Sequence, residues 1–95
     1  MFSVEFNNMN FSLPTKSGYF MYSKSGCKFC KMAKELLPNV TVVNVDEHIE
    51  TDKAKCLDKM ATIAEVEIKT FPVIFFNQIF VGGYAESKEH LSMME

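Results

Sequence analysis

The sequence predicts an α/β fold. Three observations carry this: apolar, β-rich stretches alternate with stretches of helical period, a strand-helix-strand unit lies in the first half, and two short apolar runs joined by Asn-Gln lie in the second. At 95 residues, with 47% hydrophobic residues and nine Phe, the chain is sized for one domain, residues 1–95, with a core that needs no disulfide staples.

Residues 1–17 are the least patterned part. FSVEF and NFSL carry strand-type residues, but Asn7, Asn8 and Asn10 interrupt them, and Pro14 to Gly18 reads as a turn. YFMYS at 19–23, bounded by Gly18 and by Ser25-Gly26, reads as a buried strand. Residues 28–37 change period: Phe29, Met32, Ala33, Leu36 and Leu37 fall on one helical face and the charged residues mostly on the other, until Pro38 stops the helix. VTVVNV at 40–45 is the next strand, and a right-handed crossover would pair it parallel to the first.

Thr51 and Asp52 punctuate the chain before a second helical pattern, in which Ala54, Leu57, Met60, Ala61 and Ala64 share a face; its expected end is near Val66. PVIFF at 72–76 and IFV at 79–81 form a predicted hairpin, because Asn77 tolerates the left-handed backbone that a tight turn needs. ESKEHLSMME closes the chain as a helix with Leu91 and Met94 inward.

Charge excludes some partners. Twelve acids and ten bases, all of them lysine, give a net charge of −2 without a basic block, so nucleic acid is not expected. No apolar run nears the roughly 20 residues that span a bilayer, and MFSVEFNNMN lacks the features of a signal peptide, so the expectation is a soluble, cytoplasmic protein without membrane partners. The all-lysine bases and the abundance of Asn, Phe, Lys and Met suit an AT-rich genome, a viral one included, in which case the compartment would be the host cytoplasm.

The chemistry centres on SGCKFCKMA. Cys27 falls where the first strand gives way to a helix, and Cys30 lies in the first helical turn. Unpaired N–H groups at a helix start favour a thiolate, and Lys24, Lys28 and Lys31 add to that field, so Cys27 is expected to be the exposed, low-pKa thiol. Two intervening residues bring Cys30 within bonding reach, so it would resolve a mixed disulfide formed on Cys27. Two other readings compete with this one. Inert buried thiols would not need a lysine-flanked, Gly-started turn. A structural zinc needs four ligands, and Cys56, His48 and His90 stand at no recognised zinc spacing from the pair. Cys56, beside the Leu57, Met60, Ile63 stripe, reads as core filler. Both histidines read as solvated polar residues without a catalytic role.

With this redox turn followed by a helix, then KTFPVIFFN, then VGGY, the chain resembles the glutaredoxins from about Tyr19 to Leu91. The resemblance implies a thioredoxin-like fold, a four-stranded mixed sheet with helices on both faces. It also implies glutathione as electron-donating cosubstrate, with no permanently bound cofactor and no metal. In this reading Cys27 is the nucleophile, Cys30 the resolving cysteine, and the two form the redox-active disulfide.

The same resemblance assigns the glutathione contacts. Lys24 would approach the glycyl carboxylate, with Lys59 reaching it from the second helix, and Phe29 would lie beside the glutathione sulfur. Thr70-Phe71-Pro72 matches the family's Thr-Val-Pro, whose proline follows a cis peptide, and the Phe71 backbone would pair with the cysteinyl unit as an added strand does. Gly83, Tyr84 and Ala85 would hold the γ-glutamyl carboxylate on helix-start N–H groups, and Glu86 would meet its ammonium group where many members have Asp.

The family commonly carries Cys-Pro-Tyr-Cys. Here Lys28 replaces the proline, restoring a backbone N–H and adding a charge, and Phe29 lacks a hydroxyl. Expected partners are oxidised or glutathionylated proteins, ribonucleotide reductase among them, and the chain is expected to be a monomer. Two rival functions remain at this point. One is a thioredoxin-like reductant driven by a flavoprotein reductase, against which the absence of tryptophan counts. The other is a module in which glutathione and Cys27 hold an iron-sulfur cluster between two subunits, against which Cys30 counts.

Overall fold

The computed structural model describes residues 11–94. The elements are β1 (Tyr19–Ser23), α1 (Lys28–Leu36), β2 (Thr41–Asn44), α2 (Asp46–Ala64), β3 (Val73–Phe76), β4 (Ile79–Gly82) and α3 (Tyr84–Met93). The strand-like FSVEF at residues 2–6 lies outside the described residues, and 11–17 form no regular element.

The strands form one sheet in the order β2-β1-β3-β4. β1 pairs parallel with β2, with Met21 opposite Val42, and antiparallel with β3, with Met21 opposite Ile74. β3 and β4 form the expected hairpin. Asn77 and Gln78 at its tip both have positive φ, 51° and 72°, the combination that a two-residue turn matching strand twist requires. Asn77 also clamps the start of β1: its side-chain oxygen accepts from Gly18 N–H at 2.7 Å, and its own N–H donates to Gly18 O at 3.1 Å.

Strand alternation divides the core in two. Phe20, Tyr22, Val73 and Phe75 face one way and pack with Phe11, Val45 and the Cys56, Met60, Ala64 face of α2. Tyr19, Met21 and Ile74 face the other way, against Ala33 and Leu37 at α1 and against Tyr84 and Leu91 of α3. With apolar neighbours on both faces, β1 reads as a continuous apolar run instead of alternating. The result is a four-stranded mixed sheet with α2 on one face and α1 and α3 on the other, the thioredoxin-like arrangement.

Some local expectations are corrected. α2 begins at Asp46, not after Thr51-Asp52, and the punctuation marks a kink instead of a start: Asp52 has φ −164° and ψ 94° within the helix. The Asp52 carboxylate accepts from Lys55 N–H at 3.1 Å, so it caps the second half of the helix from inside. Ala54 is exposed, and Cys56 takes the inward place, buried as expected. In α3 the buried residue is Ser87, whose hydroxyl donates to Tyr84 O at 2.9 Å, while Met94 is exposed.

Neither histidine is simply solvated. His90 is half-buried, its Nδ1 2.7 Å from the Tyr19 hydroxyl and its ring 5.0 Å from that of Phe76. His48 meets Phe11 edge-on at 5.0 Å. Aromatic partners distant in sequence decide these positions, and local polarity does not reveal them.

Candidate active site

β1 ends at Ser23, and a turn at residues 24–26 leads into α1. Gly26 has φ +71°, a conformation that costs glycine nothing and most residues a great deal. Cys27 is the N-cap of α1, with extended backbone, and its sulfur accepts from Cys30 N–H at 3.1 Å. A thiolate at this place keeps that same donor and gains the helix-start field.

Cys27 and Cys30 are joined as a disulfide, with a Cα separation of 5.2 Å. Their exposures differ: Cys27 is half-buried, whereas Cys30 is buried at 3%. Only the first sulfur of the pair presents itself to a partner. The third cysteine, Cys56, is free and 2% exposed, and burial pushes its thiol pKa up, with Lys59 working against that shift.

The other residues marked in the sequence converge from three parts of the chain. A groove of about 340 Å³ is lined by Phe29, by Thr70, Phe71 and Pro72, and by Gly83, Tyr84, Ala85 and Glu86. The Phe71–Pro72 peptide is cis. Among the described residues no backbone hydrogen bond outside the helices and strands involves Phe71, so its N–H and C=O stand ready for an extended ligand. The Lys24 ammonium sits 5.5 Å from the Phe71 ring centre, which ties the redox turn to this groove.

Phe29 departs from its periodicity. Helical spacing puts it on the core face of α1, yet it is 51% exposed, with its ring 5.7 Å from that of Tyr84. It lines the groove and leaves the core to Ala33 and Leu37. Lys59 is placed elsewhere: it borders a separate recess of about 270 Å³ with Glu47, His48 and Cys56. Glu86 is engaged within its own helix start, where its Oε1 accepts from Gly83 N–H at 2.9 Å. That bond occupies one of the helix-start donors, and the next two residues, Tyr84 and Ala85, also line the groove. Gly82 makes this closure fit, since a Cβ on it would stand 2.6 Å from the Glu86 Cβ at a backbone φ of +137°.

Sequence reasoning missed Asp46. This first residue of α2 accepts from Ser25 N–H at 2.9 Å through Oδ1 and from the Ser25 hydroxyl through Oδ2, so it ties the redox turn to the end of β2. Its own N–H donates to Asn44 Oδ1 at 2.8 Å. Ser-Gly before the cysteine and Asn-Val-Asp after a strand were its only sequence signals, and nothing in either pairs them across 21 residues.

The Ser25 hydroxyl first, then the Ser25 N–H, hold the Asp46 carboxyl below its ordinary range, and Lys24 adds to the effect. A carboxyl depressed on folding contributes stability that is complete above its unfolded value, near pH 4, and is lost as the pH falls through the lower folded value. Asp46→Ala is therefore expected to lower the Tm at pH 7, with the gap from the parent closing as the pH falls below about 4. Thermal melts across that range check it.

The family model described as Glutaredoxin matches residues 20–81, about two thirds of the chain, from within β1 to within β4. The chain belongs to the glutaredoxin family.

Solved glutaredoxins share its fold. Glutaredoxin 1 from Francisella tularensis, crystallised with cacodylate, superposes with a TM-score of 0.66 at 23% identity, covering 81% of this chain and 94% of that one. The dithiolic glutaredoxin 2-C-Grx1 of Trypanosoma brucei brucei gives 0.63 at 22% identity, over 88% and 93%. The Escherichia coli glutaredoxin gives 0.59 at 19% identity, over 81% and 95%. No curated protein matches the sequence. Family membership and the Cys27–Cys30 pair at a helix start together make this glutaredoxin a thiol-disulfide oxidoreductase.

Proposed function

We propose that the chain draws its electrons from glutathione and reduces protein disulfides and glutathione mixed disulfides through Cys27 and Cys30. The observation that carries this reading is the groove beside the disulfide, which gathers Phe29, the 70–72 turn and the start of α3 around an unpaired Phe71 backbone. A tripeptide with a carboxylate at each end fits such a surface: one end meets the N–H groups at the start of α3, the middle pairs with Phe71, and the other end reaches Lys24.

In the reaction, the Cys27 thiolate attacks a sulfur of the substrate disulfide and expels one substrate thiolate. The mixed disulfide on Cys27 is then cleared by Cys30, which releases the second substrate thiolate and leaves the Cys27–Cys30 disulfide, or directly by glutathione. Two glutathione thiols return the enzyme disulfide to the dithiol, leaving as glutathione disulfide. No electron passes through a metal or flavin in this cycle. The substrates proposed are oxidised and glutathionylated proteins, ribonucleotide reductase included, met by a single-domain monomer in the cytoplasm.

The test compares electron donors. Reduction of a glutathionylated peptide is expected with glutathione, recycled by its own reductase, and not with a thioredoxin-type flavoprotein reductase acting on the chain directly. Activity confined to the flavoprotein would overturn the glutathione reading. A visible absorbance band in anaerobically purified protein would point instead to a cluster carrier.

A further inference from the structure

The helix that begins at Cys27 carries lysine at 28, 31 and 34. Three-residue steps keep successive side chains adjacent on a helix, where like charges oppose helix formation. A second recess, about 660 Å³ and open to solvent, runs between this stripe and Val42 and Asn44 of β2, with Cys27 and Cys30 in its wall. The residues lining it include Lys24, Lys28, Lys31 and Lys34 and no carboxylate. Among the described residues none of Lys28, Lys31 and Lys34 forms an ion pair, the salt bridge present being Lys69–Glu67 at 4.0 Å.

This recess and the groove along Phe71 and Pro72 share no lining residue: Cys27 and Cys30 line the recess, and Phe29, which stands between them in sequence, lines the groove. A tripeptide seated in the groove with one end at Lys24 leaves Lys28, Lys31 and Lys34 of the recess open to another partner. A chain of net charge −2 has here set Lys28, Lys31 and Lys34 beside its reactive sulfurs, with no ion pair to any of the three among the described residues.

We infer that this recess docks an acidic segment of a disulfide-bonded protein substrate, with Asp or Glu side chains next to the attacked cysteine meeting Lys28, Lys31 and Lys34. The inference rests on the thiol-disulfide reading above and adds which protein substrates are taken. The lysines move no electrons. The Cys27 thiolate breaks the substrate S–S bond, Cys30 displaces the second substrate sulfur as thiolate, and glutathione supplies both electrons for the next cycle. The ammonium groups raise the encounter rate and lengthen the residence of an anionic partner, an effect that salt screens in so open a site.

Three fluorescent peptides test this, each closed by one intramolecular disulfide and identical except for flanking residues that are acidic, neutral or basic. With pre-reduced protein in single-turnover mode at low salt, the acidic peptide is expected to react roughly tenfold faster than the neutral one. The ratio should fall toward one at about 0.5 M salt. The double variant Lys31→Glu/Lys34→Glu should reverse the order and favour the basic peptide. Any change in the intrinsic reactivity of Cys27 divides out of these ratios, and the salt dependence of the parent protein decides the matter without the variant. Equal, salt-insensitive rates on all three peptides would overturn the acidic-substrate inference and leave the oxidoreductase reading standing. Failure to reduce any peptide would overturn both.

Discussion

Cys27→Ser is expected to slow reduction of a glutathionylated peptide by at least about three orders of magnitude, the scale of loss when a reaction's nucleophile is removed. Cys30→Ser is expected to stay within about tenfold of the parent on that substrate, because glutathione can clear the mixed disulfide in its place. The asymmetry follows from position. Cys27 caps α1 and is half-buried, whereas Cys30 is 3% exposed and can reach little besides the sulfur already bound to it. On an intramolecular protein disulfide, Cys30→Ser should lose most of its turnover, since the second substrate sulfur then has no internal displacing group. Rates for both variants on both substrates check the division, and similar behaviour of the two variants would refute it.

Phe75→Ala is expected to destabilise the protein by about 3–5 kcal/mol, the usual range for emptying a large aromatic site in a core. Phe75 is fully buried, with its ring 5.6 Å from Phe80, 5.9 Å from Tyr22 and 6.3 Å from Phe20. It sits in β3 opposite Phe20 of β1, so its loss loosens the two strands that carry the redox turn and the 70–72 turn. Since small domains hold only about 5–15 kcal/mol in total, much of the folded population's margin would go. Urea unfolding of the two proteins measures it. A loss under about 1 kcal/mol would mean that the core on this face can close around the vacancy.

What the sequence made legible was mostly periodic or covalent. β1, α1, β2, the hairpin and α3 follow from apolar period and from Gly, Pro and Asn punctuation, and the place of Cys27 at a helix start follows from those elements. The 70–72 turn and the start of α3 were marked by resemblance to the glutaredoxins, and the structure brings both to the groove beside Phe29. The misses share a different cause. Asp46, 21 residues from Ser25, is recruited by a hydrogen bond that no local pattern encodes, and it starts α2 six residues before the expected break. Phe29 obeys the core period of α1 yet turns to Tyr84, and His90 looks solvated yet packs against Tyr19 and Phe76. In each case a partner distant in sequence overrules the local rule. The resemblance assigned Lys59 to the glycyl carboxylate; in the structure it lines the recess beside His48, on the α2 side of the sheet.

The most direct test is to trap the intermediate. Purified Cys30→Ser protein is incubated with glutathione disulfide, digested without reductant and mapped by mass spectrometry. One glutathione on Cys27, with Cys56 unmodified, is the predicted result. An unmodified Cys27, or an adduct on Cys56 alone, would contradict the assignment of Cys27 as the glutathione-reactive nucleophile.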